Sequence, residues 1–253
     1  MTQRIIAVVN QKGGVGKTTT AINVAAQLAA DKSSVLLVDL DPQGNATSGL
    51  GLAKDKAPTT TYEVMCGGLP VASAVQETHV AQLHVLAANA DLAGAEVELV
   101  GRARREFALS TALKPAASYD YIIIDCPPSL GLLTINGLTA ATEVLIPVQA
   151  EYYALEGLSQ LLNTIQAVRG STNPQLELLG IALTMFDKRN SLSEQVLTEV
   201  KNYFGDKLFS TVVPRNVRLA EAPSYGRTIY EHDRWSKGAR AYKALAKEVK
   251  NRS

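Results

Sequence analysis

The sequence predicts an α/β fold: one doubly wound, mostly parallel sheet with helices on both faces. Three observations predict it. Short runs of Val, Ile and Leu alternate with helical patterns along the chain. The runs are apolar at successive positions, as in strands buried on both faces. The first run passes through a Gly-rich turn directly into a helical pattern. In order, residues 5–9 form the first run, and residues 18–30 after the turn have helical spacing. Residues 35–38 form the second run and end on Asp39. Residues 83–86 are a third and weaker run. Residues 121–124 are a fourth, ending on Asp125, residues 144–147 a fifth and residues 179–183 a sixth. Residues 211–213 are read as a seventh. Further helical patterns cover 155–168, 193–204 and 240–250. Residues 44–80, rich in Gly, Thr and Ala, read as loops with a helix or two. No repeat, low-complexity tract or linker is visible, so residues 1–253 are expected to form one domain.

Composition narrows the class. Nearly half the residues are apolar, enough to fill a large core, and the formal net charge is only +1. The distribution is uneven. Residues 188–253 hold 14 Lys+Arg and 7 Asp+Glu, a balance of +7, whereas residues 1–187 hold 11 and 17, a balance of −6. A basic last quarter on an acidic body points to a polyanion-binding face. Two cysteines, Cys66 and Cys126, stand far apart in no metal-ligand spacing, which fits a reducing cytosol better than a disulfide framework. The start resembles no signal or transit peptide, and no apolar stretch approaches the roughly 20 residues that span a bilayer. A soluble protein is expected.

The Gly-rich turn reads Lys12-Gly13-Gly14-Val15-Gly16-Lys17-Thr18-Thr19. Between a strand and a helix such a turn traps anions, because backbone N–H groups point inward and the helix N-terminus adds partial positive charge. Lys17 can reach the β- and γ-phosphates of a nucleotide, and the Thr18 hydroxyl can ligate Mg²⁺. The ordinary motif would have glycine five residues before Gly16, where Gln11 stands. A second lysine, Lys12, and paired glycines follow it instead. The fold class narrows to a P-loop NTPase. Asp39 and Asp41 close one strand and Asp125 closes another. Carboxylates at the C-terminal ends of parallel strands surround the ligand crevice, where they can hold Mg²⁺ through water or position an attacking water.

The segments 12–19, 38–45 (Val-Asp-Leu-Asp-Pro-Gln-Gly-Asn) and 125–129 (Asp-Cys-Pro-Pro-Ser) strongly resemble the ParA/MinD/nitrogenase-iron-protein group of ATPases. Segments 89–96, 151–157, 184–187 and 213–224 resemble its ParA (Soj) chromosome-partitioning branch. The likeness runs from about residue 4 to residue 249. The resemblance implies a cycle in which two ATP-bound subunits form a sandwich dimer. Lys12 would then cross to the partner's phosphates, much as an arginine finger acts in trans, and Gly13 would permit the close approach. It also implies that Lys17 and Thr18 act in cis, Asp41 orients the hydrolytic water, and Asp125 supports Mg²⁺ through water. Pro214, Arg215 and Asn216 resemble the loop that holds adenine, with Met185 packing on the base. By the same resemblance the ATP dimer binds double-stranded DNA without sequence preference through Arg189 and Arg218. A ParB-like partner stimulates hydrolysis, in the cytoplasm on the nucleoid.

Other readings compete. A MinD-like membrane ATPase needs a C-terminal amphipathic helix rich in bulky apolar groups. Here Tyr242, Leu245, Ala246 and Val249 form only a thin stripe, which a helix packed on the body explains better. An iron–sulfur protein of the nitrogenase type needs cysteines in places that Cys66 and Cys126 do not match. A DNA-binding scaffold without catalysis leaves the phosphate loop unexplained. An ATPase positioning some other cargo stays open. The first strand begins almost at once, so no N-terminal operator-reading extension is expected.

Overall fold

The computed structural model describes residues 3–151 and 154–252, the side chains of 154–156 excepted. Tyr152 and Tyr153, part of the 151–157 segment, lie outside them. The strands are β1 (Arg4–Val8), β2 (Val35–Asp39), β3 (Val75–Glu77), β4 (Leu83–Leu86), β5 (Tyr121–Asp125), β6 (Glu143–Gln149) and β7 (Glu177–Thr184). They form one sheet in the order β3-β4-β2-β5-β1-β6-β7. All pairings are parallel except β3 with β4. The helices are α1 (Lys17–Ala30), α2 (Asn45–Gly49), α3 (Thr61–Met65), α4 (Val71–Ala74), α5 (Leu92–Glu98), α6 (Ala108–Leu113), α7 (Leu132–Ala140), α8 (Ala154–Ser171), α9 (Ser191–Phe204), α10 (Val217–Glu221), α11 (Ile229–Asp233) and α12 (Lys237–Asn251).

The continuous apolar runs became strands because both sheet faces are covered. One apolar layer joins the sheet to α3–α9, and a second joins it to α1 and α12. Odd and even residues of β1 divide between the two layers: Ile6 and Val8 face one, Ala7 the other. Pro147 inside β6 costs no ladder bond. Pairing of β1 with β6 ends at Val8 and Leu145, so the missing N–H of Pro147 falls beyond it. Its carbonyl is used by Asn10 instead.

Helix α12 buries Tyr242, Leu245, Ala246 and Val249 in the second layer. The Tyr242 hydroxyl meets Thr20 Oγ1 at 3.0 Å, and burial pushes its pKa up to about 12. The stripe is thus occupied by the body of the protein. Among the described residues no helix is long and apolar enough to cross a membrane.

Two expectations are corrected. Residues 211–213 are not a strand. They run beside β7 with bonds such as Val213 N–H to the Leu183 carbonyl, but only isolated bridges form on either side, Ile181 with Leu208 and Phe186 with Pro214. Pro214 has no N–H to extend a ladder, and Asn216 already caps α10. The seventh strand is β3, a three-residue antiparallel edge inside the segment read as loops and helices.

Candidate functional site

Strand β1 delivers the chain to the phosphate loop at the C-terminal edge of the sheet. Gly14 and Gly16 adopt φ +74° and +85°, which side-chain-bearing residues rarely reach. Gly16 caps α1 without any side-chain hydrogen bond, and the first turn carries no acidic residue. Its N–H groups therefore face the crevice without a carboxylate competing for them. The loop is held from outside. Asn10 Nδ2 donates to the Pro147 carbonyl at 2.7 Å and the Lys12 N–H to Asn10 Oδ1 at 2.9 Å. Thr184 Oγ1 donates to the Val15 carbonyl at 2.8 Å. Lys17 is buried, with Nζ donating to the Lys12 carbonyl at 3.0 Å. Burial lowers its pKa, opposed by Asp125 and Asp41.

Asp39 and Asp125 are paired in register at the ends of β2 and β5, and both are fully buried. They do different work. Asp39 Oδ2 accepts the Thr47 N–H and hydroxyl, both at 2.8 Å, and Oδ1 accepts the Asp41 N–H at 3.2 Å. It ties down the turn that carries Asp41. Burial pushes its pKa up to about 6 against those bonds. Asp125 has no hydrogen bond to either oxygen. Thr18 approaches it without closing a bond of ordinary geometry. Burial and then the neighbouring Asp39 raise its pKa well above the usual carboxylate range. A buried carboxylate with both oxygens unpartnered, beside the Thr18 hydroxyl, fits a hydrated cation. Among the described residues no three His, Cys, Asp or Glu side chains form a ready metal cage. Mg²⁺ needs none, since it keeps several waters and takes the rest of its shell from phosphates. Asp41 is 7% exposed, and its Oδ1 accepts the Gln43 N–H at 2.9 Å.

A cavity of about 420 Å³ continues from Gly16 and Thr19 past Met185, Pro214, Arg215 and Asn216. All four residues expected beside an adenine are thus brought to the phosphate loop. Met185 holds φ +50°, a left-handed conformation unusual for a side chain of its size. Thr184, Leu219 and Tyr242 also line this slot. The sequence reading missed them because their types are ordinary for a core.

The remaining expected residues lie apart. Lys12 Nζ pairs with Glu151 at 2.7 Å on its own chain, both side chains nearly half exposed. A Cβ on Gly13 would meet nothing within 4 Å, so that surface is open. Arg189 is 89% exposed and grips Asp187 with two nitrogens, which holds the Asp187 pKa down to about 2. Arg218 bonds Glu221 at 2.9 Å and approaches Asp233 at 3.8 Å. A cavity of about 720 Å³ gathers Arg189 with Lys188, Arg215, Lys237 and Arg240, but not Arg218.

Comparison with known proteins agrees with this geometry. A family model described as an AAA domain matches residues 3–178. The chromosome partitioning protein ParA of Myxococcus xanthus is 56% identical over 250 residues, which cover 98% of this chain and 88% of that protein. The sporulation initiation inhibitor protein Soj of Bacillus subtilis is 56% identical over 247 residues, covering 97% and 98%. A cobyrinic acid a,c-diamide synthase from Mycobacterium smegmatis, solved with bound ADP and magnesium, superposes with a TM-score of 0.85. It is 44% identical and covers 97% of this chain and 93% of its own. Two near-full-length relatives above half identity show the family: the chain belongs to the ParA/Soj family of chromosome-partitioning ATPases.

Proposed function

We propose that the chain binds and hydrolyses Mg²⁺-ATP, and that the ATP-bound form is a sandwich dimer that holds DNA without sequence preference. The observation that carries the catalytic part is the buried group at the strand ends. Lys17, Thr18, Asp41 and the unpartnered Asp125 converge beside an uncapped helix N-terminus. Lys17 and the α1 N–H groups neutralise the phosphates. Thr18 and Asp125 would hold Mg²⁺, Asp125 through water. When bound, the ion would supply charge neutralisation to the phosphates. Asp41, tethered through Asp39, orients the attacking water, and the dry surroundings strengthen each contact. Met185, Pro214, Arg215 and Asn216 hold the base.

Dimerisation completes the site. Lys12 leaves Glu151 and crosses to the partner's phosphates, while the bare surface at Gly13 lets the backbones approach. Arg189 and Arg218 then contribute two copies of a basic face to one DNA, in the cytoplasm on the nucleoid. A ParB-like protein releases the dimer by stimulating hydrolysis. The support here is the family membership, the basic last quarter and the high effective concentration of a second patch in a dimer.

Asp41→Ala tests the catalytic assignment. The variant should bind ATP and dimerise as the parent does, yet release phosphate at least about 10²-fold more slowly. Phosphate release at the parental rate would remove Asp41 from its role.

A further inference from the structure

Another concave surface lies on the sheet face opposite α1 and α12. It is a cavity of about 720 Å³ between the α3–α4 turn and the segment joining α5 to α6. Its floor includes Val64, Met65 and Leu99, buried members of the first apolar layer. Its rim carries Arg102, Arg104, Arg105 and Lys114. It shares no lining residue with the phosphate loop, the base slot or the basic cavity around Arg189.

The charge at this rim runs against its surroundings. Residues 1–187 are acidic overall, yet four of their 11 cations fall between 102 and 114, where Glu106 is the sole carboxylate. Two of the four are answered locally: Arg102 pairs with Glu98 and Arg105 with Glu106. The Arg104 guanidinium instead lies 4.7 Å from the centre of the Phe107 ring. Among the described residues no carboxylate pairs with Arg104 or Lys114. Nearby on and after α5, Val97 is 79% and Val100 59% exposed. An apolar floor and two cations without a carboxylate partner thus line one groove, and an exposed apolar shoulder follows closely in sequence.

We propose that this groove docks an acidic amphipathic helix from a protein partner. Apolar side chains every third or fourth residue would fill the floor, and Asp or Glu beside them would meet Arg104 and Lys114. A nucleic acid satisfies the cations but leaves the apolar floor without a complement. A flat anionic lipid surface cannot enter the concavity. A peptide with both characters answers both features.

The test uses the full chain and three labelled synthetic helical peptides, read by fluorescence anisotropy. The probe has Leu at every third or fourth position and Glu elsewhere. One control replaces Glu by Lys, the other replaces Leu by Ser. The probe should bind saturably in the micromolar range and both controls at least about tenfold more weakly. Arg104→Glu with Lys114→Glu should weaken the probe about tenfold or more, while Arg104→Lys with Lys114→Arg keeps parental affinity. Both double variants should keep parental ATP turnover and circular dichroism, because neither pair touches the nucleotide site. The proposal is overturned if the probe fails to saturate, if either control binds as well as the probe, or if charge reversal leaves affinity unchanged. It is equally overturned if a duplex oligonucleotide or anionic vesicles, and not the probe, show the Arg104 and Lys114 dependence.

Discussion

Two regions of this molecule treat charge in opposite ways. At the phosphate loop Lys17, Asp39 and Asp41 are buried and held by backbone groups, and Asp125 is buried with both oxygens unpartnered. At the basic surface Arg189 and Arg218 are exposed, and each is gripped by an acidic neighbour. The first arrangement is preorganised and strained in the absence of ligand, since buried like charges repel. The second is relaxed, and each cation is partly neutralised before any DNA arrives. A site built for chemistry stores its cost in the fold. Around Arg189, by contrast, Lys188, Arg215, Lys237 and Arg240 have no carboxylate partner among the described residues.

Removing one buried charge should have the largest effect on this contrast. Asp125→Asn should raise the melting temperature of the ligand-free protein by several degrees at pH 8. It should also weaken Mg²⁺-dependent ATP binding about 10–100-fold. The sign follows from the raised carboxylates. The folded protein holds their protons more tightly than the unfolded chain does. The parent's stability therefore falls as pH rises from the ordinary carboxylate range through about 6, where Asp39 ionises, and further as Asp125 follows. The variant lacks the Asp125 charge, so its advantage should shrink as the pH drops to 5. A variant less stable than the parent at pH 8 would show that Asp125 is not strained.

The surface cations should respond more modestly. Arg218→Glu should weaken DNA binding about tenfold, with a shallower salt dependence, while ATP-driven dimerisation is kept. Glu221→Gln should have the opposite sign, a gain of up to about fivefold, because it releases Arg218. The sole tryptophan, Trp235, is 74% exposed and donates its backbone N–H to Oδ1 of Asp233, the second neighbour of Arg218. If DNA binds at this face as proposed, the Trp235 fluorescence should change on its addition. Unchanged affinity in Glu221→Gln would mean that the local pair does not restrain Arg218. The smallest effect is expected at Lys12. Glu151→Gln frees the lysine from an exposed pair, so the protein concentration needed for ATP-dependent dimerisation, measured by light scattering, should fall by less than about fivefold. A higher threshold would make Glu151 a support for the dimer and not a restraint on Lys12.

The same contrast explains what could be read from the sequence. The parallel sheet was legible because its strands are apolar at every position. The phosphate loop was legible because its glycines and lysines stand in fixed spacing. The approach of Pro214–Asn216 and Met185 to that loop followed from family likeness, not from any local pattern. Asp39 read as one strand-end carboxylate among three, and only the fold shows that its bonds to Thr47 set the turn bearing Asp41. Strand β3 has three residues, too few for a periodicity, and it exists because the β4 edge offers it a partner. Residues 211–213 have strand composition, but Pro214 and the α10 cap end the segment first. The partners of Lys12, Arg189 and Arg218 depend on side-chain geometry at the surface. The Lys12 pair joins residues 139 apart in sequence, beyond the reach of any local rule.

The measurement that tests the central claim most directly is a titration of duplex DNA with the full chain, with and without Mg²⁺-ATP, at two salt concentrations. In the proposed dimer a second copy of the basic face would be added at high effective concentration. ATP should therefore tighten binding about 10²-fold. The ATP-bound affinity should not depend on DNA sequence and should fall with salt at a log–log slope of about −0.9 per phosphate neutralised. Equal affinity with and without ATP would contradict the account.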